Sequence, residues 1–377
     1  MVAGEASGDL LASLMLKGLN SAIPNLAAYG IGGKRMVDAG FDARWPSEKL
    51  AVRGYAEVLS HYPEIFMIRR SLAKMLLAAP PDAFVGIDAP DFNLDLECRL
   101  KKAGIPVLHY IGPSIWAWRR ERMEKIRRAV DHMLVLFPFE EAIYHEAGIA
   151  ATYVGHPLAD IIPLTPNQAA ARRTLSIGSG PLVALMPGSR LAEIHYNGPA
   201  FIAAAELLAS TVKDVHFIVP MASPDTRERF SALLARKAHA DGLFTVIDGD
   251  SHHALEACDA ALIASGTATL EAALYKRPMV IAYKMASLSA ALMRNKGYQP
   301  WVGLPNILAG EFLVPEFLQE RATPAALAAA LLFQLQDDAN RSRLVTRFEE
   351  IHLTLRRDTA SRCAAVIAEF LNDRMVG

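Results

Sequence analysis

An α/β protein of two Rossmann-like domains is what this sequence predicts, on three observations: its length, the rhythm of its apolar runs, and a proline-rich join near its middle. The chain has 377 residues, more than twice the roughly 150 of a typical domain, and enough for two ordinary cores. In both halves short apolar runs of strand length alternate with amphipathic stretches of helix length, the pattern of a parallel sheet covered by helices. Between the halves, Gly155-His156-Pro157 and Ile161-Ile162-Pro163-Leu164-Thr165-Pro166 carry prolines that cannot continue a helix and stiffen an extended connection. Domains are therefore expected at residues 1–162 and 163–340, with a helical segment at 341–377 that is free to cross back to the first domain or to a partner chain.

The strands follow in order. In the first half they are expected at Ala27–Ile31, Ala83–Asp88, Pro106–Tyr110, His132–Phe137 and Thr152–Val154, and in the second at Leu182–Met186, His216–Val219, Phe244–Ile247, Ala260–Ala264 and Met279–Tyr283. The front of the chain is anomalous. Met1-Val2-Ala3 runs straight into Gly4-Glu5-Ala6-Ser7-Gly8-Asp9, whereas the first strand of such a sheet normally has about five residues. The expectation is a chain that is short by part of a strand at its N-terminus.

Composition narrows the class. A hydrophobic content of 52% with 21% charged residues describes a folded globular chain. Lys plus Arg number 39 against 40 Asp plus Glu, so no overall field draws the protein to nucleic acid. Cys98, Cys258 and Cys363 lie far apart in no CxxC spacing, which argues against a disulfide scaffold and a zinc site and for the cytosol. No apolar run approaches the roughly 18 residues of a membrane-spanning helix, and no signal peptide is evident.

The motifs lie where strands end. Gly4 to Asp9 forms a turn into a helix whose backbone N–H groups suit a ligand, although tight turning alone calls for glycine just as well; Glu5 there suits a hydroxyl partner better than a pyrophosphate. Asp88, after the apolar run Ala83-Phe84-Val85, sits at the carboxyl end of a strand, where doubly wound sheets bind ligands; it is the candidate general base. Asp91 and Asn93 serve equally well as caps of the next helix. In the second half, Pro187-Gly188-Ser189-Arg190 and Ser265-Gly266-Thr267 each end a strand and start a helix. Both are read as helix N-termini without nearby acids, suited to a diphosphate, though each Ser or Thr taken singly serves as well as a helix cap. Glu271, one turn further on, is placed to accept from ribose hydroxyls. Asp248-Gly249-Asp250 reads as a turn, and His109 and His156 as hydrogen-bonded core histidines.

Two segments suggest a lipid partner. Val52–Ala79 interleaves Leu59, Ile65, Phe66, Met67, Ile68, Leu72 and Leu76 with Arg53, Arg69, Arg70 and Lys74, an amphipathic, mildly basic stretch that fits an interface or acyl chains as well as a core helix. Arg99–Arg128 holds nine basic residues against Glu121 and Glu124, a local balance of +7, with Trp116 and Trp118 beside it. Lipid headgroups, nucleic acids and plain solvent all suit that composition.

Seven ordered motifs, Val2-Ala3-Gly4-Glu5-Ala6-Ser7-Gly8-Asp9, Gly86-Ile87-Asp88-Ala89-Pro90-Asp91-Phe92-Asn93, Pro113-Ser114-Ile115-Trp116-Ala117-Trp118-Arg119, Val154-Gly155-His156-Pro157, Pro187-Gly188-Ser189-Arg190, Ser265-Gly266-Thr267-Ala268-Thr269-Leu270-Glu271 and Leu304-Pro305-Asn306-Ile307-Leu308-Ala309-Gly310, closely resemble the lipid-A-disaccharide synthase family over nearly the whole chain. The resemblance implies an inverting glycosyltransferase of GT-B architecture, two Rossmann-like domains facing each other across a cleft, that acts in lipid A synthesis. Its substrates would be UDP-2,3-diacylglucosamine and 2,3-diacylglucosamine 1-phosphate (lipid X), and its products a β-1,6-linked disaccharide 1-phosphate and UDP. It also implies peripheral attachment to the cytoplasmic face of the inner membrane, and a homodimer exchanging C-terminal segments is associated with the family.

By the same resemblance Asp88, Glu5, Arg190 and Asn306 match positions important for activity. Donor binding is expected from Gly188, Ser189, Arg190, Ser265, Gly266, Thr267, Glu271 and Asn306, and Ser7, Asp9, Asp91, Asn93, Ser114 and Trp116 are candidates for the acceptor or the cleft. Base and diphosphate site are expected on opposite sides of that cleft. Arg190 and the two helix starts can stabilise departing UDP, so neither cofactor nor metal is required. One departure is Ile111-Gly112-Pro113-Ser114, with glycine where the usual motif carries serine. A soluble UDP-N-acetylglucosamine 2-epimerase shares the architecture but has no use for the lipid-facing segments. A nucleotide-binding module without catalysis has no use for Asp88.

Overall fold

In the computed structural model, which describes every residue except 51–54, 114, 116–119, 237–241, 287–299 and 377, the chain divides into two units. One is Met1–Asp160 together with Leu355–Gly377, the other Ile161–Thr354.

The first unit opens with α1 (Ala6–Ala22), followed by β1 (Tyr29–Gly32), α2 (Lys34–Asp38), β2 (Asp42–Pro46), α3 (Tyr55–Ala78), β3 (Phe84–Gly86), α4 (Pro90–Lys102), β4 (Val107–Tyr110), α5 (Met123–Ala129), β5 (His132–Val135), α6 (Pro138–Glu146), β6 (Ala150–Tyr153) and α7 (Pro157–Ile161). The strands form parallel ladders β1-β2 and β3-β4-β5-β6. Val2 bridges the two, pairing in parallel with Ile31 on one side and Gly86 on the other. Its neighbourhood carries real ladder bonds: Val2 N donates to Val85 O at 3.1 Å, Ala3 N to Ile31 O at 3.0 Å, and Ile87 N to Val2 O at 3.0 Å. The place of the short first strand is thus filled by Met1 to Ala3, central in the sheet. Val2, Ile31, Phe84 and Val107 are buried with Leu72 and Leu76 of α3 and Leu96 and Leu100 of α4, as a sheet covered by helices requires.

The second unit contains α8 (Gln168–Thr174), β7 (Leu182–Met186), α9 (Leu191–Ala209), β8 (His216–Met221), α10 (Pro224–Leu234), β9 (Phe244–Asp248), α11 (Ser251–Ala257), β10 (Ala260–Ile263), α12 (Thr267–Leu274), β11 (Met279–Tyr283), α13 (Leu304–Ala309), β12 (Glu316–Leu318), α14 (Pro324–Gln336) and α15 (Asp338–Leu355). Its sheet is parallel in the order β12-β11-β10-β7-β8-β9, the doubly wound arrangement. All ten expected strands are present, and the α/β class with two Rossmann-like units agrees with the sequence. Two strands go beyond it: β2, whose residues alternate between exposed and half-buried, and the three-residue β12.

The last helix, α16 (Thr359–Val376), packs on α1 in the first unit. Asp160 fixes its start by accepting from Asp358 N at 3.0 Å and Thr359 N at 2.8 Å. The return begins at Leu355, later than the 341 expected from composition, because α15 stays with the second unit. There Arg343 bonds Leu313 O at 3.2 Å and Arg347 pairs with Glu311 at 2.9 Å.

Candidate functional site

The first unit's candidate centre is Asp88, two residues past the end of β3. Its Oδ1 accepts from Gly4 N at 2.5 Å and its Oδ2 from Glu5 N at 2.9 Å. The turn after Val2 thus grips the carboxylate through backbone N–H groups and joins two of the sequence motifs at one point. Gly8 leaves room for the carboxylate, since a Cβ there would collide with Asp88 Oδ2. Burial pushes the Asp88 carboxyl up to about 6; the bonds from Gly4 and Glu5 pull it back, the charge of Glu5 raises it, and His109 lowers it. Glu5 and Ser7 are exposed on the same turn.

The neighbouring candidates have other duties. Asp9 faces α2, where Oδ1 accepts from Gly33 N at 2.9 Å and Met36 N at 3.1 Å and Oδ2 from Arg35 N at 3.0 Å, capping that helix. Asn93 is fully buried and donates to Asp88 O at 2.5 Å and Val2 O at 3.3 Å, so it shapes the loop that presents Asp88. Asp91 pairs with Arg122 at 2.5 Å at the start of α4. Ser114 and Trp116 lie outside the described residues.

In the second unit the two helix starts differ. At Pro187-Gly188-Ser189-Arg190 an acid is present after all: Glu193 Oε2 accepts from Ser189 N at 2.8 Å and Arg190 N at 3.3 Å. The sequence reading of a helix start without nearby acids is corrected there, because a glutamate at the third helical position folds back as half of a capping box. The Arg190 side chain remains 62% exposed, 3.6 Å from Glu193. At Ser265-Gly266-Thr267 the expectation of no nearby acid agrees with the helix: α12 has no acid in its first turn and no side-chain cap, and Gly266 and Thr267 are exposed. Burial raises the Glu271 carboxyl above its ordinary range, with His252 pulling against it.

Asn306 lies inside its loop. It is fully buried; its Nδ2 donates to Val314 O at 2.9 Å and Glu316 Oε1 at 2.8 Å, and its Oδ1 accepts from Leu313 N and Val314 N at 2.8 Å. That exhausts both amide hydrogens and both lone pairs. In this structure the Asn306 amide therefore serves the framework of its own loop. Glu316, unnoticed in the sequence, also accepts from Val302 N and Gly303 N at 2.9 Å, and Val302 O in turn accepts from Ser265 Oγ at 3.3 Å. Asn306 and Glu316 thereby brace the loop in front of α12.

The basic stretch is largely paired. Lys125 and Arg69 both bind Asp95, at 2.5 and 2.8 Å, Lys101 binds Asp131 at 3.2 Å, and Arg127 binds Glu124 at 2.9 Å. Arg119 lies outside the described residues. Between α3 and α4 a cavity of about 430 Å3 is lined by Phe66, Arg69, Arg70, Leu96 and Arg99 among others. The buried face of α3 carries Ile68, Leu72 and Leu76, while Phe66 and Met67 are 47% and 60% exposed. Among the described residues no helix is long and apolar enough to cross a membrane, and no cluster of three or more His, Cys, Asp or Glu is arranged for a metal.

The model of the lipid-A-disaccharide synthetase family matches residues 1–370. The chain belongs to the lipid-A-disaccharide synthase family. Among its relatives, a lipid-A-disaccharide synthase of Thiobacillus denitrificans is 55% identical over 372 residues, covering 98% of this chain and 99% of the relative. One of Burkholderia mallei is 54% identical over 376 residues, covering 99% and 96%. Among solved structures, a putative UDP-N-acetylglucosamine 2-epimerase from Listeria monocytogenes aligns with TM-score 0.64 at 12% identity over 99% of this chain and 95% of that one. The calicheamicin glycosyltransferase CalG4 aligns with TM-score 0.59 at 16% identity over 98% and 96%. These two likenesses concern the fold, which synthases, epimerases and other glycosyltransferases share. The epimerase alternative rests on the fold alone, whereas the synthase family rests on sequence along the whole chain.

Proposed function

We propose that this member of the synthase family, a glycosyltransferase of lipid A disaccharide formation, transfers 2,3-diacylglucosamine from its UDP derivative to the 6-hydroxyl of 2,3-diacylglucosamine 1-phosphate, with Asp88 as general base. The observation that carries the reading is the Asp88 carboxylate itself, half-buried beyond a strand end, held by two backbone N–H groups and pushed up to about 6, near the value that serves a base at neutral pH. Asp88 takes the 6-hydroxyl proton as that oxygen bonds to the donor's anomeric carbon. The bond from that carbon to the UDP oxygen breaks on the opposite face, which inverts the centre and releases UDP.

Negative charge develops on the leaving diphosphate, and the exposed Arg190 guanidinium and the uncapped start of α12 at Ser265-Gly266-Thr267 are the groups suited to meet it. Glu271 is suited to the ribose hydroxyls. Gly188 gives the turn before Arg190 its shape, and Glu5 and Ser7 border the acceptor hydroxyl. For the acceptor phosphate we favour Arg70 and Arg99 in the cavity between α3 and α4, where Arg69 is already paired with Asp95, over the residues from Lys101 to Arg128, and for the bilayer the outward Phe66 and Met67 of α3, a peripheral attachment at the cytoplasmic face of the inner membrane. A homodimer that trades C-terminal segments would form the α1–α16 contact between chains.

The test is a detergent-micelle assay with both acylated sugars and a chelator, following UDP and disaccharide together. Equal amounts of both are expected from the unsubstituted enzyme. Asp88→Asn should keep its affinity for UDP and lose turnover on the order of a hundredfold; near-normal turnover moves the base elsewhere.

A further inference from the structure

Behind Asp88 lies a pair of ionisable side chains that neither proton transfer nor donor binding uses. Glu97 stands one turn after Asn93 on α4 and His109 stands on β4. Both are buried, with Glu97 Oε1 2.6 Å from His109 Nδ1. His109 is in register with Gly86 of β3, two residues before Asp88. A Cβ at Gly86 would collide with Glu97 Oε1 and crowd His109 Nδ1, so the strand that delivers the base leaves room for the pair.

As a mere clamp between α4 and β4 the pair is an expensive choice. Glu97 Oε2 is buried without a hydrogen-bond partner, and apolar side chains of similar size hold such a contact at less cost. Its arrangement is better suited to electrostatics. Burial favours a neutral His109 ring, but the charge of Glu97, its hydrogen bond, the charge of Asp88 and a hydrogen bond to the Ile111 backbone together raise the ring's pKa. The ionisable groups acting on His109 are Glu97 from α4 and Asp88 from the loop after β3; those acting on Asp88 are Glu5 from the turn before α1 and His109 from β4. Of these only His109 favours the ionised Asp88.

Resting on the assignment of Asp88 as base, we propose that Glu97 and His109 form a buried positioning pair, whose imidazolium keeps the Asp88 carboxylate ionised for proton abstraction. Glu97 holds the proton on the ring and the ring holds the charge beside the base. Neither residue touches substrate.

The experiment is the pH profile of kcat/KM from pH 5 to 9 in the micelle assay for the unsubstituted enzyme, His109→Gln and Glu97→Gln. The unsubstituted enzyme should lose activity on the acid side around the Asp88 value of about 6. Both variants should move that midpoint toward alkaline pH by about one unit, the scale of a single nearby charge. A uniform loss at every pH with an unmoved midpoint marks a merely structural pair and overturns the proposal. Asp88→Asn in the same assay separates the claims. If it keeps turnover, the base assignment fails; if it loses turnover while His109→Gln keeps the original midpoint, only the role of the pair fails. Should both variants fail to fold, 15N-histidine spectra of the unsubstituted protein decide. A solvent-shielded ring carrying both protons at pH 7, above the Asp88 midpoint, supports the pair, and a neutral ring there overturns it.

Discussion

At Asp88 one carboxylate meets two opposed demands. The two backbone N–H groups favour its charged form, yet burial wins and the group holds its proton up to about pH 6. Because that value lies above the ordinary 3.8, the folded protein binds this proton more tightly than the unfolded chain. The resulting stability is complete below about pH 4 and is lost as pH rises through 6. The shift corresponds to at most about 3 kcal/mol. Urea unfolding of the enzyme and of Asp88→Asn should therefore show the enzyme losing stability relative to the variant between pH 4 and pH 7, by up to that amount. A difference that does not change with pH contradicts the burial of this charge. Activity and stability pull apart at this residue, as they do where a site keeps a strained or desolvated group for its chemistry.

Elements decide which backbone donors are left for a ligand. α9 and α12 both follow strands of one sheet through a glycine turn, and sequence alone reads them as alike. The difference is Glu193, whose carboxylate already occupies Ser189 N and Arg190 N. Glu193→Gln keeps a capping side chain and removes a negative charge beside the proposed diphosphate position. UDP should bind severalfold more tightly by titration calorimetry; weaker binding would mean that the carboxylate serves to orient Arg190. Legibility divides along the same line. β7 and β11 carry the bounds expected of them because each is an unbroken apolar run buried on both faces, while β2 has a half-polar pattern and β12 is too short to show a period. Asp88 and the glycine turns were legible because strand, turn and helix are adjacent in the chain. The Asn306–Glu316 brace and the Glu97–His109 pair were not, since each is a contact across elements that no spacing rule encodes. Asn306 matched a family motif, but the motif does not show that its amide makes four bonds within its own loop.

At the scale of the molecule, the second unit is one continuous stretch, Ile161–Thr354, inserted into a first unit assembled from two pieces. A fragment of residues 161–354 should fold alone and give a cooperative thermal transition by circular dichroism, because its sheet and its cluster of buried side chains draw on no residue outside it. A fragment ending at Thr354 that keeps Met1–Asp160 should instead lose cooperativity in its first unit, since α1 is stripped of α16. An uncooperative 161–354 fragment, or a first unit untouched by the truncation, would show that the division of contacts is not a division of folding.

The α1–α16 contact also sets an order of events in the cell. Ala22 ends α1 and Thr359 opens α16; at translation rates of about 5–20 residues per second, roughly 20–70 s separate their emergence from the ribosome. Through that interval the face of α1 around Gly18, which lies against Ala360 in the finished protein, awaits its partner, while the inserted unit has all its strands in hand. The nascent chain therefore carries a completed unit beside an unfinished one, and that waiting apolar face is where a chaperone has reason to bind.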